Sequence, residues 1–60
     1  MNGYYQKDKG IFNVWLIREA DDTAIAYTDS DEIILTSAYT DSDLEAVNEF
    51  SNEYDLEIAY

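Results

Sequence analysis

The chain divides at Arg18. From Glu19 to Tyr60 it contains no Lys, Arg or His, yet all but one of its 14 acidic residues fall in that stretch. Asp8 is the exception, and Lys7, Lys9 and Arg18, the only cations, all precede Glu19. A segment without internal counter-charge repels itself, and the uncompensated net charge of −11 destabilises any compact state. Selection for something other than folding is implied. Either the surface faces a strongly basic partner, or the protein works where salt screens the repulsion.

Sixty residues make one domain, and a fold of this size buries only about 60% of the surface its unfolded chain exposes. Small domains compensate with disulfides, a structural metal or oligomerisation. With no Cys and no His the first device and the usual zinc ligands are gone, which leaves self-association, and a homodimer is one expectation. High net charge favours disorder, but an apolar fraction of 47% and an aromatic fraction of 15% oppose it, so an ordered protein is expected. The longest apolar run, Val14 to Ile17, is far short of the roughly 20 residues of a membrane span. The absence of Cys fits a reducing compartment, so the expected location is cytoplasmic, and Met1 to Gly10 carries no apolar signal-peptide core. Anionic lipid and nucleic acid would both repel the chain, which argues against membranes and direct DNA or RNA binding.

Ile11 to Ile17 is rich in β-branched and aromatic residues and reads as a strand. Ile11, Trp15 and Ile17 face one way and Phe12, Val14 and Leu16 the other, so both faces require cover and the strand belongs inside the sheet. Thr23–Thr28 and Glu32–Ser37 follow across short polar connections, as an antiparallel meander. A helix is predicted over about Asp41 to Glu53. Ser42 and Glu45 match a capping box, Thr40 or Asp41 being alternative caps, and Leu44, Val47, Phe50 and Tyr54 lie on one side. Leu56 and Ile58 suggest a last strand ending at Tyr60, and residues 1–9 form a loose arm or a short extra strand. The predicted fold is α+β, in the order β-β-β-α-β, with the last strand returning parallel to the first in a sheet of order 4-1-2-3. Ala26–Asp31 recurs as Ala38–Asp43, best read as two chain reversals whose Asp and Ser supply turn or cap hydrogen bonds.

Asp41, Glu45, Glu49 and Glu53 recur every four residues, so a helix sets them in one stripe with about 6 Å of rise per step, opposite its apolar side. An amphipathic helix has a polar face in any case, but such faces usually mix Lys with Glu because like charges at i,i+4 cost about 0.2–0.5 kcal/mol per pair. Asp29 with Asp31, and Asp55 with Glu57, would stand about 6.5–7 Å apart in extended chain. Phosphates along one DNA strand advance about 3.4 Å along the axis and are farther apart through space, so carboxylates at this pitch on a rigid frame approach a phosphate row. The six tyrosines add the amphipathic contact area enriched at interfaces, although Tyr27, Tyr39 and Tyr54 also suit covering a small core.

Asp-Ser-Asp occurs twice, but the EF-hand pattern fails in both places, with Ile34 or Ala46 where Gly is needed, so no metal site is expected. Without His, Cys, a Gly-rich phosphate loop or room for a cleft there is no basis for catalysis or a cofactor. In size, acidity and aromatic content the chain resembles phage-encoded inhibitors that occupy the DNA-binding sites of restriction, CRISPR, repair or nucleoid proteins. That resemblance rests on charge, size and spacing and carries no residue correspondences. It implies a DNA-mimic inhibitor whose partner is a basic, nucleic-acid-binding protein, contacted through Asp29, Asp31, Asp41, Glu45, Glu49, Glu53, Asp55 and Glu57. Two other readings stand beside it: a halophile's solubility-driven surface, and an antitoxin or interaction module that neutralises a basic protein.

Overall fold

Tyr4–Gly10 is a full strand (β1), which decides between the two expectations for the N-terminal segment. In the computed structural model, which describes residues 3–59, β1 turns back through Ile11 and Phe12 onto Asn13–Arg18 (β2), with Tyr4 opposite Arg18 and Tyr5 opposite Ile17. Thr23–Asp29 (β3) and Glu32–Leu35 (β4) complete a four-stranded antiparallel meander. A short 3-10 turn, Asp41–Asp43, leads into the helix α1, Leu44–Tyr54, and Glu57–Ala59 (β5) then pairs parallel with β4. Sheet order is β1-β2-β3-β4-β5.

Two expectations are corrected here. The C-terminal strand does not return beside the Ile11–Ile17 segment, because β1 already fills that edge through a tight hairpin; the open edge is that of β4, and the helical crossover delivers β5 there. β2 is internal as its two apolar faces demand, but β1 is the neighbour that makes it so. The apolar run also contributes less to the strand than its composition suggests, since Ile11 is 83% and Phe12 100% exposed at the hairpin tip. Position Tyr60, where the last strand was expected to end, lies outside the described residues.

The core sits between one sheet face and α1. Leu16, Ile25, Ala26 and Ile33 from the sheet meet Val47 and Phe50 from the helix, with Tyr4, Val14, Leu35, Leu56 and Ile58 packed around them. A bulge between Leu16 and Ile17 leaves Ile25 without a register partner. From the β4 side of β3, the Thr36 N–H donates to the Ile25 carbonyl at 2.9 Å and its hydroxyl to the Ala24 carbonyl at 2.8 Å. The helix stops at Asp55, in left-handed backbone with φ 55°, after which the Leu56 N–H bonds the Ser51 carbonyl at 3.0 Å in the pattern of a Schellman cap. Tyr54, expected to cover the core, is half exposed, and Tyr27 lies on the other face of the sheet, against Trp15.

Candidate acidic interface

The chain's carboxylates separate into one that holds the fold together and many that face solvent. Asp43 is fully buried, the only acid among the described residues that is. Its carboxylate accepts the Tyr4 hydroxyl at 2.6 Å, the Arg18 guanidinium at 2.5 Å, and the Thr40 N–H and hydroxyl at 2.8 and 3.1 Å. The cap contact is therefore made by Thr40 and Asp43, not by Ser42 and Glu45. Burial pushes the Asp43 pKa up, but the Tyr4 and Thr40 hydrogen bonds and the Arg18 charge outweigh it, and the net shift is downward. Arg18 also grips Asp21 with two 3.0 Å contacts. Every ion pair among the described residues thus belongs to Arg18.

All eight of the predicted contact acids are exposed. Glu45, Glu49 and Glu53 fall on the solvent side of α1, opposite buried Val47 and Phe50, and the helix beneath them is fixed by that packing. Asp41 precedes them in the 3-10 turn, whose tighter winding takes it out of the strict four-residue phase of the stripe. No cation stands in the last turn of α1, although the negative end of the helix dipole favours one there. Instead Glu53 and Asp55 occupy that end, so peptide dipoles and side chains add to the same negative pole.

The strand pairs are arranged differently from expectation. Asp31 lies in the β3–β4 turn, where its carbonyl accepts the Glu57 N–H at 3.0 Å, and Asp55 caps the helix, so neither pair spans extended chain as i,i+2. Asp29 and Glu57 are joined through a residue that the sequence reading passed over, Glu32, which is the register partner of both. These three form a cross-strand row at roughly 4.8 Å spacing, and by alternation they point away from the helix, on the face opposite Ile33 and Ile58. The structure therefore separates the predicted site: the helix stripe is one surface, Asp29 with Glu57 belongs to another, and Asp31 and Asp55 stand in the connections that flank β4 and β5.

That second surface, the open face of the sheet, carries residues the sequence reading did not single out together. Lys7, Trp15, Tyr27, Ile34 and Ala59 are successive register partners across all five strands. Trp15 and Tyr27 meet edge to face at 5.2 Å, and the Lys9 ammonium stands 5.4 Å from one ring and 4.8 Å from the other. Simple alternation along β3 sets Tyr27 on the face of Ile25, but the bulge at Ile25 puts Ile25 and Ala26 together in the core and turns Tyr27 to the opposite face, beside Trp15. On the helix side a cleft of about 270 Å³ is lined by Gln6, Phe12, Val14, Thr28, Phe50 and Leu56 among others, none of them charged. Among the described residues no three carboxylates converge closely enough to hold a metal ion, and no helix is long and apolar enough to cross a membrane. No protein family, curated protein or solved structure matches the chain.

Proposed function

We propose that this is a non-enzymatic binding protein whose outer helix face engages a basic, nucleic-acid-binding protein in place of nucleic acid, as a DNA-mimic inhibitor does. One observation carries the reading: Glu45, Glu49 and Glu53 repeat at about 6 Å of rise on a helix anchored by Val47 and Phe50, and no cation among the described residues is paired with them. Asp41 stands in the 3-10 turn just before the stripe and Asp55 at the helix cap just after it. Packing presets the geometry, so little ordering cost is incurred on binding. A surface of one sign also accelerates encounter with a surface of the other, most strongly at low salt.

The test compares wild type with Glu45→Gln/Glu49→Gln, both immobilised and exposed at low salt to cell extract, followed by titration of any retained protein in solution. The reading predicts a retained nucleic-acid-binding protein whose affinity for the Gln pair is weaker by at least about tenfold, the scale of one or two lost charge pairs at an interface, with a shallower salt dependence. Equal affinity for both versions removes the helix from the site. Retention of nothing favours an acidic surface that serves solubility, as in a salt-adapted protein, and retention of a basic protein with no affinity for nucleic acid favours an antitoxin-like module.

A further inference from the structure

We infer that the open face of the sheet pairs with the same face of a second copy of this chain, about a two-fold axis parallel to the strands. The face is apolar at its centre, where Trp15, Tyr27 and Ile34 stand half-buried on β2, β3 and β4 with Ile17 buried beside them; Lys9 reaches over Trp15 and Tyr27, and the helix packs on the opposite face. Its charges are sorted by strand. Lys7 and Lys9 stem from β1 at one edge, the Lys9 ammonium reaching in over Trp15 and Tyr27, while Glu32 and Glu57 stand on β4 and β5, whose backbones lie about 15–20 Å from that of β1 at 4.8 Å per strand. The acids directly oppose one another across strands, an arrangement that costs stability in a lone chain, and no cation among the described residues pairs with them.

A two-fold axis along the strands exchanges β1 with β5 and β2 with β4 while keeping each residue at the same height along its strand. Lys9 lies at the height of Asn13, the β2 neighbour of the Asp29 end of β3, and that is also the height of Glu32 and Glu57. Lys9 of each copy therefore stands level with Glu32 and Glu57 of the other, and Lys7 stands over Ala59, two residues along β5 from Glu57, twice per dimer. Trp15 then lies over Ile34, and Tyr27 over its own equivalent. Aligned packing of two twisted sheets about 10 Å apart is the ordinary geometry of a β-sandwich. The same face meets itself, so the contact closes as a dimer and does not propagate. Both α1 helices remain on the outside, with their acidic stripes free. Asp29 falls near the axis against its own copy, so Asp29→Asn should tighten the dimer.

The experiment uses light scattering and sedimentation over a concentration series at fixed ionic strength. Wild type is expected to pass from monomer to dimer within the micromolar range. Two charge-reversal variants, Lys7→Glu/Lys9→Glu and Glu32→Lys/Glu57→Lys, change exposed side chains only, and far-UV circular dichroism with a melt confirms that each folds. Each alone should dimerise at least about tenfold more weakly, because like charges then face each other at both ends of the interface. Mixed one to one, they should form a heterodimer, since the reversed β1 edge of one meets the reversed β4–β5 edge of the other. A wild type that stays monomeric at high micromolar concentration overturns the inference, as do variants that dimerise like wild type or a mixture that remains monomeric.

Discussion

Asp43 and Arg18 show how a chain with almost no cations spends the ones it has. The single arginine is placed where it neutralises the one fully buried carboxylate, and Tyr4 and Thr40 complete the acceptor shell. Removing one partner of such a pair strands the other in a dry site, so Arg18→Met should cost about 2–4 kcal/mol in urea unfolding, toward the low end because the guanidinium is partly exposed. Asp43 has a lowered folded pKa, so its contribution is present above the unfolded value near 4 and is lost as pH falls through the folded one. Tyr4 is raised, chiefly by its hydrogen bond to Asp43, so its contribution is complete below about 10 and disappears as pH rises through the folded value. A stability profile should therefore fall on both flanks, and Tyr4→Phe should lessen the alkaline fall. A profile whose alkaline limb is unchanged in Tyr4→Phe would separate that hydroxyl from stability. At the hairpin tip, Phe12 holds φ 61°, a region costly for a bulky L-residue and better tolerated by Asn. Phe12→Asn, with its side chain fully exposed, should raise stability by about 0.5–1 kcal/mol.

At the scale of elements, the helix carries charges in the places where its dipole disfavours them. Asp55 occupies left-handed backbone at the negative end, with Glu53 in the last turn. Asp55→Gly removes the backbone strain and one like charge together and should stabilise by about 1 kcal/mol, measured as a rise in the unfolding midpoint. If the midpoint falls, the Asp55 side chain has a structural role that its exposure hides. The helix was the most legible element, because Val47 and Phe50 repeat at its period and the acids repeat opposite them. The β3–β4 hairpin was legible because two short apolar runs flank the polar turn Asp29-Ser30-Asp31, although the bulge at Ile25 breaks the alternation expected along β3. Ile11 and Phe12 were misplaced since composition favours a strand there, whereas the hairpin needs two residues to reverse and β1 supplies the pairing. β1 itself, with Gln6, Lys7, Asp8 and Lys9, has no apolar alternation to reveal it; it is an edge strand whose backbone pairing with β2 suffices. Strand order depended on that edge being filled, so the destination of β5 could not be read without it. Glu32 escaped notice for the same reason: its row exists only once β3, β4 and β5 are neighbours.

The whole molecule is polarised. Lys7 and Lys9 mark one edge of the sheet, Glu32, Glu57, Asp31 and Asp55 the other, and the helix stripe runs along the outside. A net charge of −11 on a Cα radius of gyration of 10.2 Å concentrates repulsion within about one Debye length at 0.1 M salt. Added salt should therefore raise the melting temperature, and a melt indifferent to salt would mean that the exposed acids lie too far apart to repel. On the two proposals made above, the acids that repel within one copy attract elsewhere: Glu32 and Glu57 toward the lysines of a second copy, Glu45, Glu49 and Glu53 toward a basic partner. Displacement from that partner tests the central claim most directly. With wild-type protein bound to a basic nucleic-acid-binding partner, short duplex DNA is added at a concentration that leaves ionic strength unchanged, and the fraction bound is followed by fluorescence anisotropy. Competitive release by DNA, and equal and opposite displacement of DNA by the protein, is the predicted result; a complex that binds DNA and this protein at once would contradict it.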